Sequence, residues 1–176
     1  MLVVGFTRKD EFQLKEVKKP EPRPGQVLVR VHTTTICGTD LKIFNGRVPM
    51  VTFPHIPGHE FGGVVAEVGE GVSNLTLGAK VGVEAHTGCG VCPRCLEGRY
   101  NLCENYGNHQ KGHAHIGFTV PRGLADYCIV PARSVHILKK ILIPLITHRL
   151  PLSEFSQAWK IFCDREGDSI RVMLHP

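Results

Sequence analysis

Four cysteines cluster in the middle of the chain and have the spacing of a metal site. Cys89, Cys92 and Cys95 are each separated by two residues, and Cys103 follows after seven more. Four thiolates fill the tetrahedral shell of one zinc ion, and CxxC loops let neighbouring thiolates reach the same ion. An iron-sulfur cluster also takes four cysteines, but its common bacterial pattern places the fourth after three residues and before a proline. The spacing therefore predicts a structural zinc site, with an iron-sulfur cluster or unligated thiols as alternatives.

A second group combines a thiol, an imidazole and a carboxylate. Cys37 opens the run Cys-Gly-Thr-Asp, and His59 and Glu60 close the run Pro-Gly-His-Glu. Three such ligands leave one position of a zinc ion for water or substrate, and zinc then acts as a Lewis acid on an alcohol or carbonyl oxygen. Neighbouring residues of a strand point to opposite faces, so both can reach one ion only if the preceding proline and glycine turn the chain, or if Glu60 is an outer or exchanging ligand. Taken singly, these residues are also compatible with a buried thiol, a core histidine and a solvated carboxylate.

Strands must position both groups, because β-branched residues alternate along much of the chain. Val27, Val29 and Val31 keep a period of two, and continuing it places Cys37 on the same face. Further strands are predicted at residues 62–68, 80–83, 125–130, 135–138 and 169–174. Helical patterns lie at residues 40–44 and 153–167. This order predicts a mainly β fold, a barrel or sandwich with short helices and a helix near the C-terminus.

Composition limits the classes of protein to which the chain can belong. The 176 residues are 42% hydrophobic and 21% charged, which is typical of one globular domain. The 21 basic residues are scattered and outnumber the 16 acidic residues by only five, so nucleic acid is not expected as a partner. No stretch approaches the roughly 18 apolar residues of a membrane helix, and no export signal precedes the seven cysteines. We therefore expect a cytoplasmic protein with no membrane association and no disulfide framework.

Several longer motifs match one known pattern. They are Cys-Gly-Thr-Asp at 37–40, Pro-Gly-His-Glu-Phe-Gly-Gly-Val-Val at 57–65, Val-Gly-Glu-Gly-Val at 68–72 and Gly-Leu-Ala-Asp-Tyr at 123–127. Together with the four cysteines, they resemble the zinc-dependent medium-chain alcohol and polyol dehydrogenases. The resemblance implies a GroES-like, partly open β-barrel that carries the cysteines on a zinc-binding lobe. It covers residues 1–139, and residues 143–176 resemble the segment by which the family's chain returns to its catalytic domain. We therefore expect a single catalytic domain across residues 1–176.

The resemblance also implies roles for individual residues. Cys37 and His59 would bind a catalytic zinc, Glu60 would bind or support it, and Thr39 would pass the substrate proton toward solvent. Lys42 stands where several relatives have a histidine of the proton relay, which is a departure from the pattern. The implied reaction is hydride transfer from a small alcohol or polyol to NAD(P), as in sorbitol or threonine dehydrogenases.

A nicotinamide cofactor requires a dinucleotide site, and the sequence has no typical one. Such sites usually have GxGxxG between a strand and a helix, with an acidic residue about 20 positions further on. The nearest candidate, residues 69–74, lacks the third glycine and is better interpreted as a tight turn between strands. Only a few residues join positions 139 and 143, where the resemblance places the nucleotide domain. We therefore expect that this domain is deleted, that NAD(P) does not bind, and that the isolated chain is inactive.

Two other functions remain open at this point. The chain could be a zinc-stabilised GroES-like module for binding or assembly, which would need the lobe but not Cys37, Thr39, His59 or Glu60. It could also be a zinc hydrolase or hydratase that works without a nucleotide. A barrel face without its nucleotide domain is a reason to expect pairing of two copies of the chain. His109, His113 and His115 have a spacing that could hold another metal, although a loop role is favoured.

Overall fold

The computed structural model describes residues 1–118, 120, 123–138 and 146–176. Short strands make up most of its regular structure. The strands are β1 (Leu2–Arg8), β2 (Glu11–Glu16), β3 (Gln26–Thr35), β4 (Phe61–Val68), β5 (Lys80–Val83), β6 (His86–Thr87), β7 (Ala114–His115), β8 (Tyr127–Pro131), β9 (Val135–Ile137), β10 (His148–Pro151) and β11 (Val172–His175). The helices are α1 (Gly38–Phe44), α2 (Pro93–Leu96) and α3 (Phe155–Asp164), and short 3-10 turns join several elements. The predicted mainly β fold with short helices and a C-terminal helix is confirmed.

Strand β3 is the centre of the main sheet. The strand order is β10-β11-β3-β4-β5-β9, and β8 also pairs with β3. Because β4 pairs with β3 along most of its length, β8 and β11 share the opposite edge, β8 at the first half and β11 at Thr34 and Thr35. Among the described strands of this sheet, β10 and β11 run parallel and the other pairs are antiparallel. The C-terminal strands therefore extend the same sheet that the N-terminal residues build.

Two large hydrophobic clusters pack around these strands. One contains the alternating valines of β3 together with residues of β4, β5 and β8. The other joins β1 and α1 to the C-terminal helix, where the Phe6 and Trp159 rings meet edge to face at 5.7 Å between their centroids. Burial of several large aromatic side chains makes this second cluster a strong link between the two ends of the chain.

The end of β3 departs from the alternation seen in the sequence. The pairing of β3 with β4 shifts between Val31 and Thr33, and β3 ends at Thr35. Ile36 then enters the cluster that contains α3, and Cys37 is the N-cap of α1. Cys37 therefore lies beyond the strand, in the loop that opens α1, and the alternation of the valines does not extend to it. Within the described residues, no helix has the length and apolar character needed to cross a membrane.

Candidate metal centres

The four-cysteine lobe brings its thiols to one point. The Sγ atoms of Cys89, Cys92, Cys95 and Cys103 all lie within 4.8 Å of one another, and each is a free thiol. Cys92 is the N-cap of α2, and Pro93 in the first turn starts this helix. The Sγ atoms of Cys89 and Cys95 are 3.9 Å apart, close to the edge of about 3.8 Å that a tetrahedron with Zn-S bonds of about 2.3 Å would have. The cysteines therefore fit a four-coordinate zinc ion.

Hydrogen-bond donors around the lobe favour a thiolate at Cys89. Its Sγ accepts the side-chain amide of Asn105 at 3.2 Å and the backbone N–H groups of Val91 and Cys92 at 3.5 and 3.3 Å. Asn105, and then the backbone of Val91, lower the pKa of Cys89 to about 6. Burial raises the pKa of Cys95 to about 11. Collecting four thiolates here thus requires a cation to balance the charge, which is what zinc supplies.

The second group assembles where β3 ends and β4 begins. Ligand atoms of Cys37, His59 and Glu60 lie within 4.8 Å of one another, and all three residues are half-buried. The antiparallel ladder places them together, because the backbone N–H of Thr35 donates to the carbonyl of Glu60 at 2.9 Å. The Thr39 hydroxyl lies 3.8 Å from the Cys37 Sγ, at the edge of the same group. The four residues singled out in the sequence thus meet in one place.

A turn at Gly58 allows neighbouring residues to face the same point. Its φ of +98° lies in a region that favours glycine, and β4 begins only at Phe61, after His59 and Glu60. Gly117 packs directly on this turn, and a side chain at Gly117 would collide with the Gly58 carbonyl and the His59 Cβ. His59 and Glu60 therefore both bring a ligand atom to the group, and Glu60 as a direct ligand or as an outer or exchanging ligand remains a prediction.

Asp40 connects the two loops of this group and was not identified as a site residue from the sequence. Its carboxylate is fully buried and accepts the backbone N–H of Cys37 at 2.9 Å and that of Gly58 at 3.3 Å. The Nδ1 atom of His59 lies 3.5 Å from the same carboxylate and has no well-formed hydrogen bond within the described residues. A carboxylate behind a histidine is the usual outer partner of a metal ligand. The sequence does contain a signal for Asp40: it is an acidic residue at the third position of a short helix, where its carboxylate can accept the backbone N–H of the N-cap residue Cys37.

The charges around His59 favour its protonated form without a metal. Burial lowers the pKa of His59, but the carboxylate of Asp40, and to a lesser extent Cys37, outweigh burial and raise it to about 9. The same negative environment favours a metal cation, which replaces the proton on the imidazole. The thiol of Cys37 and the imidazole of His59, with the buried carboxylate of Asp40 behind them, therefore fit a divalent metal ion.

Glu60 is held by two partners from different parts of the chain. Its Oε2 accepts the Thr35 hydroxyl at 2.5 Å and the Arg171 Nη1 at 2.5 Å. Burial raises the pKa of Glu60, but the hydrogen bonds from Thr35 and Arg171 outweigh it, so that the pKa lies below its usual range. Glu60 is thus an ionised carboxylate at the edge of the metal group, shared with a guanidinium of the C-terminal segment.

The three histidines of the 109–115 segment do not form a metal group in the described part of the chain. His109 bonds the carbonyl of His113 at 2.9 Å, and the His113 Nδ1 accepts the backbone N–H of Gly107 at 3.1 Å. His115 shares a hydrogen bond of 2.8 Å with the Tyr106 hydroxyl. Burial lowers the pKa of both His113 and His115 to about 4, so each is neutral at neutral pH. The three histidines therefore hold one another and their neighbours in place, His109 in a short 3-10 helix and His115 in β7.

Comparisons with known proteins agree with this architecture. Residues 23–140 match the alcohol dehydrogenase GroES-like domain. The chain is 39% identical over 139 residues to an L-threonine 3-dehydrogenase of Pyrococcus furiosus, covering 76% of this chain and 38% of that protein. A thermostable alcohol dehydrogenase from Pyrobaculum aerophilum superposes with a TM-score of 0.72 at 35% identity, covering 81% of this chain and 42% of that one.

A solved NAD-dependent alcohol dehydrogenase matches a larger part of the chain. It has a TM-score of 0.72 and 28% identity, and the match covers 95% of this chain and 48% of that one. Such coverage must include most of the C-terminal segment. In each of these matches the chain spans less than half the length of its relative. With two thirds of its residues inside the family match, the chain belongs to the family of the alcohol dehydrogenase GroES-like domain.

Proposed function

We propose that the chain is the zinc-binding catalytic domain of an alcohol or polyol dehydrogenase. The observation that carries the proposal is the convergence of Cys37, His59 and Glu60 on one point, with Asp40 buried behind them. A module used only for binding or assembly would need the four-cysteine lobe for stability but not this second group. The relative from Pyrococcus furiosus is an L-threonine 3-dehydrogenase, so small hydroxyl compounds are the proposed substrate class.

The residues of the two groups have distinct proposed tasks. The lobe cysteines would hold a structural zinc, and Cys37, His59 and Glu60 would hold a catalytic one. When bound at the second group, zinc supplies Lewis-acid polarisation of a substrate hydroxyl. Asp40 orients the His59 ring and stabilises its positive charge or that of a metal ion. Thr39, beside the Cys37 thiol, is the proposed first acceptor for the hydroxyl proton.

We also propose that residues 1–139 and 143–176 form one domain from which the nucleotide domain is missing. Pairing of β11 with β3 and the contact of Arg171 with Glu60 support this arrangement. Hydride transfer needs the nicotinamide carbon close to the substrate carbon, and losing such orientation removes on the order of 7 to 11 kcal/mol of barrier reduction. The chain alone would therefore neither bind NAD or NADP tightly nor oxidise alcohols at a useful rate. A cytoplasmic location and the pairing of two copies remain predictions.

Metal content is the first test of the proposed function. Wild-type protein prepared with excess zinc should retain two equivalents, whereas Cys37→Ser and Cys92→Ser should each retain one. A chelator should remove zinc from the second group before the lobe, since three half-buried ligands hold a metal less tightly than a closed set of four. If the wild type retains only one zinc ion and Cys37→Ser retains one as well, the proposed catalytic site is wrong.

Nucleotide binding is the second test. Calorimetry with NAD and NADP, and an absorbance assay over a panel of alcohols and polyols, should show neither tight binding nor reduced nucleotide. Micromolar binding with steady formation of reduced nucleotide would contradict the proposed loss of the nucleotide domain. Aldehyde hydration or ester hydrolysis without nucleotide, abolished in Cys37→Ser, would instead support the zinc hydrolase or hydratase.

A further inference from the structure

A row of aromatic rings joins the four-cysteine lobe to the second metal group. It begins three residues after the last lobe cysteine, where the Tyr106 backbone N–H donates to the Cys103 carbonyl at 3.2 Å. The neighbouring Asn105 donates its side-chain amide to the Cys89 Sγ, also at 3.2 Å. The position of Tyr106 is therefore tied to the geometry of the lobe sulfurs.

The row continues through a turn that reaches His59. The Tyr106 hydroxyl and the His115 Nδ1 are 2.8 Å apart. The His115 ring stacks on Phe118 with 4.0 Å between centroids and 27° between planes, and the backbone N–H of Phe118 donates to the His115 carbonyl at 3.1 Å. The Phe118 ring then contacts the His59 ring at 5.0 Å. Gly117, between them, packs on the Gly58 turn.

His59 needs such support because its own hydrogen bond is incomplete. The distance of 3.5 Å from Nδ1 to Asp40 leaves the plane of the imidazole less firmly fixed than a short hydrogen bond would. Packing against the Phe118 ring restricts the remaining rotation about the side-chain bonds. Outer contacts of this kind affect how well a histidine binds a metal, commonly by 10- to 100-fold for a direct hydrogen-bond partner.

We propose that Tyr106, His115 and Phe118 are positioning residues that couple the folded lobe to the orientation of His59. The proposal rests on the proposed function in one respect, namely that the second group binds a metal. It gives the lobe a role beyond local stability, because an ordered lobe holds Tyr106 in place for the contact with His115. A lobe that only stabilised its own segment would have no effect on a metal bound by Cys37 and His59.

A cobalt titration measures this coupling without any enzyme activity. The lobe is first filled with one equivalent of Zn²⁺, and Co²⁺ is then added while its visible absorption is followed. Tyr106→Phe removes only the hydroxyl that meets His115, and it should weaken Co²⁺ binding roughly two- to tenfold. Phe118→Leu removes the ring beside His59 and should weaken it further and change the shape of the absorption bands.

Tyr100→Phe is the matched control on the same lobe. Tyr100 and Tyr106 are similarly exposed, at 41% and 47%, but the Tyr100 hydroxyl donates to Glu84 at 2.8 Å instead. This variant should bind Co²⁺ as the wild type does. Equal effects of the two tyrosine variants, or no effect of Tyr106→Phe, would overturn the coupling. A wild type that takes up no Co²⁺ after the lobe is filled would contradict the proposed function and the coupling with it.

Discussion

Asp40→Asn tests whether the buried carboxylate organises the second metal group. The substitution keeps the size of the side chain but replaces one carboxylate oxygen by an amide NH2 group, which donates hydrogen bonds and cannot accept them. In the wild type, the two carboxylate oxygens accept the backbone N–H groups of Cys37 and Gly58. The single oxygen of asparagine can accept only one of these hydrogen bonds with good geometry. His59 loses its negatively charged neighbour at the same time.

The magnitude follows from these contacts. A buried N–H without a partner costs about 1 to 3 kcal/mol, and the change of the other bond from a charged to a neutral acceptor costs about 1 kcal/mol more. We expect a loss of about 2 to 4 kcal/mol in the free energy of unfolding. For a chain of 176 residues this corresponds to a fall in Tm of roughly 5 to 15 °C. Affinity for metal at Cys37 and His59 should fall by about 10- to 100-fold, because an outer partner of the histidine is lost.

Thermal unfolding and metal competition with a chelator measure the two effects separately. Asp126→Asn is the matched control, because the carboxylate of Asp126 also accepts a backbone N–H, that of Leu2, at 2.6 Å. The control should lower stability without changing metal affinity at the Cys37 group. If both variants lose metal affinity equally, or if Asp40→Asn retains wild-type affinity, the argument for Asp40 as the organising carboxylate is wrong.

Three further perturbations test other parts of the site. Arg171→Leu removes the cation that holds Glu60, so zinc affinity at the second group, measured by chelator competition, should rise roughly two- to tenfold; a fall would contradict the arrangement. Cys92→Ser should lower the unfolding free energy in zinc by about 2 kcal/mol or more, whereas Cys163→Ser, at an exposed thiol, should leave the urea midpoint unchanged. The folded-state pKa of about 4 at His113 lies below its ordinary value of 6.5, so the unfolded chain binds more protons between these values. Stability should therefore fall as the pH drops from about 6.5 toward 4, and His113→Gln should show a flatter dependence in urea unfolding.

The sequence was most informative where the interacting residues are close together along the chain. The four cysteines lie within fifteen residues, and the spacing of such a set limits its geometry before any fold is known. The residue types of Cys37, His59 and Glu60 suggest a metal group but also have ordinary explanations, and the resemblance of the surrounding motifs favours the metal group. Helix α3 was expected over 153–167 and is observed at Phe155–Asp164, a difference at the boundaries that is common for sequence patterns.

The contacts that sequence analysis missed depend on chain segments that meet only after folding. Asp40 bonds Gly58 across 18 positions, and Arg171 bonds Glu60 across 111 positions. No helical or strand periodicity in the sequence connects residues that are so far apart, so neither contact could be predicted from it. The end of β3 at Thr35, and the shift in its pairing with β4 between Val31 and Thr33, also depend on the tertiary structure. Local chemistry was therefore predictable, and the supporting contacts required the tertiary structure.

The second metal group depends on both ends of the chain, and this links its chemistry to the stability of the fold. Strand β11 pairs with β3 at Thr34 and Thr35, immediately before Cys37, so the sheet fixes the start of the loop that carries the thiol. Just before β11, Arg171 reaches across to the Glu60 carboxylate. Together with the Thr35 hydroxyl, it lowers the pKa of Glu60 and holds the carboxylate at the edge of the group, where it can support or exchange with another ligand. The C-terminal segment therefore does more than contribute to the hydrophobic cluster: with Thr35 of β3, it holds one of the three candidate ligands in place.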